Sequence, residues 1–317
     1  MPAKDYPVEL TAPDTSAYKD GNTGIDYITT FDSGKPGPHV MVNAVTHGNE
    51  ICGAIVVDFL FREKVQPTRG KLTLAFANYQ AFLNFDPRHP AMSRYVDEDF
   101  NRLWSPDVLD GDRNSAELSR ARELRPFIDT VDLLLDIHSM QTRTPALMLA
   151  GPLNKGRELA AAVRVPEFVV SDEGHAAGKR LRDYGGFGDP DSPKNALLVE
   201  CGQHWERSSA DVAMQTTLRF LAHCDIADPD FLTAHLDPNP PPQKFITVTE
   251  AVTIKTNDFS FEEEFVGMEV IEKAGTVIAH DDEEPVTTPY DDCVLIMPSR
   301  RMSPGQTAVR LGQFNRT

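Results

Sequence analysis

Apolar residues along this chain recur in two rhythms. Between residue 40 and about residue 224, short continuous apolar runs alternate with segments whose apolar positions return every three or four residues. The runs predict strands at 40–45, 72–78, 131–137, 146–150, 168–171 and 196–200. The helical periodicity predicts helices at 50–62, 115–128, 155–163 and 210–224, the second capped by Asn114 or Ser115. Such alternation defines an α/β layer on a largely parallel or mixed sheet flanked by helices. Two polar loops, 84–98 with two prolines and 172–195 with both prolines and glycines, interrupt it. Loops of that length in a compact unit are usually functional or disordered.

The stretch "HLDPNPPPQKF" at 235–245 stiffens the chain and cannot continue a helix. Beyond it come short strand-like runs, "FITVTEAVTIK", "GMEVIE", "GTVIAH" and "DCVLIMPS", separated by turns and without a convincing helix. The expected organisation is an α/β unit over residues 1–234, a linker at 235–243 and a small all-β unit over 244–317.

Composition narrows the function. With 317 residues and 40% apolar content the chain supports a substantial core. Its 48 acidic and 31 basic residues leave a net charge of −17, which argues against a nucleic-acid partner. Small anionic substrates stay open, because a few arginines in a cleft are enough to hold a carboxylate. The N-terminus lacks a signal-like apolar core, and no segment approaches the roughly 18 apolar residues of a membrane span. A cytoplasmic protein without a membrane partner is expected. Cys52, Cys201, Cys224 and Cys293 are scattered, without a C-x-x-C pair, and read as reduced, mostly buried thiols.

The candidate chemistry sits where apolar runs end. "VNAVTHGNEICGAIVVDFL" at 42–60 is a strand, a turn carrying His47 and Glu50, and a helix. One turn can aim that imidazole and carboxylate at one point, and two histidines with one glutamate are a known catalytic zinc set. In "LLLDIHS" His138 leaves a strand end, where open α/β sheets gather ligands. Alone it reads as a structural histidine; with the His47/Glu50 turn it becomes the natural third ligand, with Asp136 as an acceptor that orients an imidazole. In "NALLVECGQHW" Glu200 ends another apolar run. A carboxylate there must be hydrogen-bonded, paired or turned to a site, and beside a zinc-activated water it is a proton acceptor. The loop "SRYVDEDFNRLW" mixes Arg94, Asn101 and Arg102 with Asp97, Glu98 and Asp99. In isolation that is a salt-bridged solvated loop. In a site an arginine fork and an asparagine hold a carboxylate, and a second arginine stabilises an oxyanion.

"HGNE", "SRYVDEDFNRLW", "DIHS" and "LLVECG" together resemble the succinylglutamate desuccinylase/aspartoacylase family of the zinc carboxypeptidase superfamily, over roughly residues 38 to 225. The resemblance implies a carboxypeptidase-like α/β fold and one Zn2+ per chain bound by His47, Glu50 and His138. It implies Glu200 as general base, Arg94 at the scissile carbonyl, Asn101 and Arg102 on the substrate carboxylate, and Asp99 orienting these groups. It also implies that the β-rich tail narrows the cleft, favouring a small N-acyl amino acid-like substrate. Besides that substrate, no nucleic-acid or membrane partner is expected, and a homo-oligomer stays open. Two alternatives use the same residues: a metallocarboxypeptidase acting on short peptides, and a non-catalytic binding protein. Some family members carry a further arginine shortly before the base. Residues 183–199 contain none, and Arg180 and Arg182 lie upstream across "YGGFGDPDSPKN", which leaves an acidic acyl group unsupported. His204 and Trp205 stand either in a pocket wall or in core. Tyr290 reads as structural, and His89 and His175 as surface residues.

Overall fold

The continuous apolar runs become strands buried on both faces, because helices cover the sheet from two sides. A computed structural model describes residues 6–175, 177–300 and 302–315. Residues 1–5 and 316–317, at the outer ends of the two expected units, lie outside the described residues. The strands are β1 (Ile28–Asp32), β2 (His39–Ala44), β3 (Lys71–Phe76), β4 (Leu133–Met140), β5 (Leu147–Leu149), β6 (Phe168–Ser171), β7 (Asn195–Gln203), β8 (Lys244–Thr253), β9 (Phe259–Phe261), β10 (Val270–Ile271), β11 (Val277–Asp281), β12 (Glu284–Thr287), β13 (Cys293–Ile296) and β14 (Thr307–Phe314). The helices are α1 (Ile51–Arg62), α2 (Tyr79–Phe82), α3 (Pro106–Leu109), α4 (Ala116–Ile128), α5 (Asn154–Val163), α6 (Arg207–His223) and α7 (Pro229–His235).

Eleven strands make one sheet in the order β1-β3-β2-β4-β7-β5-β6-β8-β14-β13-β10, and β12-β11-β9 make a smaller second one. The centre, β3-β2-β4-β7, is parallel, whereas β5 runs antiparallel to β7. The mixed α/β sheet with a smaller C-terminal β sheet is the fold class expected from the sequence. All six predicted strands and all four predicted helices form, with ends shifted by up to three residues. The sheet also crosses the proline-rich segment: β8 pairs in parallel with β6, from Phe168↔Lys244 to Ser171↔Thr247, and β14 pairs with β8.

Side-chain parity decides which residues can reach the site. Val40, Val42, Leu135, Ile137, Leu197 and Val199 face α1, α5 and α6 in one core. Met41, Leu134 and Ala196, at the alternate positions, face α4 and the segments around Trp104 and Phe187 in a second. Successive strand residues point to opposite faces. Asp136, His138 and Glu200 therefore share the face of Leu134 and Ala196.

Four strands, β1, β9, β12 and β14, went unpredicted, the first and last of them for a plain physical reason. β1 is a half-exposed edge strand, "ITTFD", without an apolar run. β14, "TAVRLGQF", is buried over its first six residues although Thr307, Arg310 and Gly312 interrupt its apolar signal. All four cysteines are free and buried. Among the described residues no helix is long and apolar enough to cross a membrane.

Candidate active site

β2 ends at Ala44, and Val45 turns the chain with φ of 52°, a rare backbone for a β-branched residue. The turn that follows carries His47 and Glu50 to the end of β4. The ligand atoms of His47, Glu50 and His138, all three buried, lie within 4.8 Å of one another. Both imidazoles turn Nδ1 toward Glu50, at 2.8 Å for His47 and 3.0 Å for His138. Their far nitrogens are held by carboxylates: Asp99 Oδ1 lies 2.9 Å from His47 Nε2, and Asp136 Oδ2 lies 2.9 Å from His138 Nε2. Asp136 in turn accepts from Asn43 Nδ2 and Thr46 Oγ1, each at 2.8 Å. Two Nδ1 donors and a carboxylate facing one point, with acidic groups behind the rings, is a donor set that fits zinc. The electrostatics agree. Burial disfavours a His138 cation, yet Asp136 and Glu50 raise its proton affinity well above the usual value. Burial likewise works against the Glu50 anion, which His47 and His138 nonetheless hold well below the ordinary carboxylate range. A divalent cation satisfies the same demand for positive charge, and metal binding displaces protons.

His138 and Glu200 are paired in the β4–β7 ladder, so their side chains stand next to each other. Burial pushes Glu200 up to about 8, with Glu50 and Asp136 adding to the shift against His138 and Arg94. Its Oε2 is buried and has no hydrogen-bond partner. His204, from the turn after β7, lines the same cavity and binds Ser139 Oγ through Nδ1 at 2.8 Å. Burial pushes His204 down to about 3. Trp205 is core: its indole donates to the Asn49 carbonyl at 3.1 Å and packs among apolar residues. Tyr290 packs in the C-terminal core.

Gly48 lets the loop of residues 84–98 close on this turn. A Cβ there would collide with the Ala81 and Phe82 backbone and the Ser93 carbonyl. Instead Gly48 N donates to the Arg94 carbonyl at 3.0 Å, which fixes where that arginine starts. The Arg94 side chain then donates to Glu50 Oε1 at 3.2 Å and Asp99 Oδ2 at 3.1 Å. Asn101 Oδ1 accepts from Leu181 N at 2.8 Å, and Asn101 N donates to Asp99 Oδ1 at 2.9 Å. The buried Glu117, on α4, accepts from the backbone N–H of Val96, Asp97 and Glu98 at 2.6, 3.0 and 3.2 Å. In the sequence Glu117 looks like an acid serving the first turn of its own helix.

The eight side chains to which the sequence assigned metal, catalytic or substrate-binding roles line one cavity of about 470 Å³. Three other residues there were not expected. His175 is a wall residue rather than a surface one, pushed down to about 3 by burial and then by Arg102 and Arg310. Arg180 lines the cavity from across the 184–195 loop, which Lys155 Nζ gathers by donating to the carbonyls of Gly186, Asp189, Ser192 and Lys194. Arg310 arrives from β14. The sequence signals were an arginine inside an otherwise apolar run and two arginines followed by a single acid, Asp183, each of which has an ordinary structural explanation.

A mixed α/β sheet with a buried His-Glu-His set at its strand ends and a glutamate beside it defines the class. The chain belongs to the succinylglutamate desuccinylase/aspartoacylase family, whose catalytic-domain model matches residues 36–224. A protein described as a probable aspartoacylase, from Parasynechococcus marenigrum, is 35% identical over 136 residues, covering 40% of this chain and 41% of that relative. The fold is similar to solved structures. Succinylglutamate desuccinylase from Vibrio cholerae has a TM-score of 0.68 at 15% identity over 92% of this chain and 86% of its own. The product-bound ectoine utilization protein EutE (DoeB) from Ruegeria pomeroyi has 0.61 at 16% over 92% of each chain. Murine aminoacylase 3 has 0.58 at 18% over 89% of this chain and 96% of its own.

Proposed function

We propose that this protein is a zinc-dependent hydrolase that cleaves the amide bond of a small N-acylated amino acid or related carboxylate. The observation that carries this reading is the buried His47, Glu50 and His138 set beside a glutamate whose Oε2 has no partner. The names of the relatives, aspartoacylase, desuccinylase and aminoacylase, point the same way. A bound zinc supplies Lewis acidity that lowers the pKa of water and polarises a carbonyl. The chain's own groups do the rest. Glu200 accepts the proton of the attacking water at Oε2 and returns it to the departing amine. Arg94, fixed by Glu50 and Asp99, places a cation where the oxyanion develops. Arg102 and the Asn101 amide offer donors to the substrate carboxylate, and Asp99 ties His47 to Arg94.

The test is direct. Purified protein is incubated with acetyl, succinyl and aromatic acyl derivatives of one amino acid and with short peptides, while bound metal is quantified. Release of amine from acyl amino acids with about one zinc per chain is expected. Faster turnover of peptides moves the protein to the carboxypeptidases, and no turnover of any substrate at full zinc occupancy ends the hydrolase reading.

A further inference from the structure

Immediately after Glu200 the β4–β7 ladder is interrupted. His138 pairs with Glu200 but Met140 pairs with Gln203, so Cys201 and Gly202 together stand opposite Ser139, and Gly202 takes φ of 102° within this bulge. The chain leaves β7 at Gln203, and His204 follows on the cavity wall with its backbone N–H donating to the Met140 carbonyl at 2.8 Å. Its ring is held from one side only. Nδ1 meets Ser139 Oγ at 2.8 Å, and Ser139 is itself fixed by its N–H, which donates to Glu50 Oε2 at 3.1 Å. The other ring nitrogen, Nε2, is buried and has no hydrogen-bond partner, in a residue only 1% exposed.

A buried ring nitrogen without a partner is costly, so one on a cavity wall points to a ligand. The Ser139 contact decides only what that nitrogen offers. If Ser139 donates to Nδ1, Nε2 carries the proton and donates; if Nδ1 donates to Ser139, Nε2 accepts. The ring is uncharged in both cases, since burial pushes it down to about 3 against the pull of Glu50. A carboxylate can only accept and an ammonium can only donate, whereas a hydroxyl does both and complements either tautomer. The adjoining wall has the same character. Ser139, Met140, Gln141, Thr142 and Thr144, from the end of β4 onward, line the cavity without a charge among them, while arginines line it from the 94–102 loop, from residue 180 and from β14. A substrate carboxylate on Arg102 takes the arginine side, which leaves the uncharged strip to the acyl chain.

We propose that His204 is a specificity-determining residue whose Nε2 hydrogen-bonds a hydroxyl on the acyl chain of the substrate, so that the site selects hydroxylated over plain aliphatic acyl groups. The assignment rests on the reading of this cavity as an N-acyl amino acid site. An uncharged acyl group also agrees with the lack of arginine in residues 183–199, directly before Glu200. A purely structural role, with His204 bracing Ser139 behind Glu50, is the competing account.

Two pairs of substrates of matched shape separate them on the full-length zinc-loaded protein. The N-hydroxyacetyl and N-propionyl derivatives of one amino acid form the first pair, and its N-(3-hydroxypropionyl) and N-butyryl derivatives the second. Wild type is expected to prefer the hydroxylated member of at least one pair by about 10- to 100-fold in kcat/KM, the cost of leaving a buried group unpaired. His204→Asn keeps a polar atom near the position of Nδ1 and loses Nε2, so it should abolish that preference by slowing the hydroxylated substrate alone. Thermal unfolding checks the fold, and His204→Phe, which keeps the bulk of the ring, serves if Asn unfolds the protein. A wild type without preference in either pair overturns the proposal, as does a folded variant that slows both members of a pair equally. If wild type cleaves none of the four amides, their affinities are measured calorimetrically. A hydroxyl preference that then disappears in the variant leaves the His204 assignment standing while the hydrolase reading falls, and equal affinities in wild type overturn the assignment.

Discussion

Glu200 and His138 face each other across one ladder step, yet burial leaves the first reluctant to ionise while carboxylates hold the second toward its charged form. Their replacements should separate cleanly. Glu200→Gln keeps the shape and should retain zinc at wild-type stoichiometry while turnover falls about 10²- to 10⁴-fold; activity within tenfold of wild type removes Glu200 from proton transfer. His138→Ala should purify without metal, and full zinc occupancy measured by atomic absorption breaks the ligand assignment. Asp136→Asn keeps the hydrogen bonds to Asn43 and Thr46 within reach but weakens the hold on His138 Nε2. Its zinc affinity, measured by chelator competition, should fall about 10- to 100-fold.

At the scale of elements, the loop that delivers Arg94, Asn101 and Arg102 is positioned by two groups that touch no substrate. Gly48 admits its backbone, and Glu117 binds three successive amides at its turn. Glu117→Ala leaves those donors without partners, which costs about 1–3 kcal/mol for each one that water cannot reach. Melting should therefore shift down, and kcat/KM should fall even at temperatures where the variant is fully folded. Wild-type kcat/KM in folded Glu117→Ala protein shows that the loop holds its place without this carboxylate.

At the scale of the whole molecule, arginines and acids join the segment after β6, the turn at 180–183 and β14. Burial opposes the Asp183 anion, but Arg180 and Arg182 hold its pKa below the usual 3.8. A carboxylate with a depressed folded pKa contributes stability above its unfolded value and loses it as pH falls toward the folded one. The unfolding free energy lost in Asp183→Asn should be constant from neutral pH to about 5 and shrink below 3.8. A difference that persists unchanged to pH 2 excludes this ionic contribution. Much of the architecture was legible in the chain, because a strand buried on both faces must be continuously apolar and a covering helix must repeat every three or four residues. The turn at His47, the strand ends at His138 and Glu200 and the polar loop at 93–104 were visible for the same reason: polar groups closing apolar runs need a partner. β1 and β14 were not, since their burial comes from neighbours they meet only in the folded sheet. Nor were His175, Arg180 and Arg310, whose roles depend on sharing Asp172 or the cavity wall across distances of more than a hundred residues along the chain. Local periodicity determined the elements and the metal-ligand candidates; the charge balance of the cavity was decided only by the tertiary structure, because electrostatic neutralisation depends on distance in space.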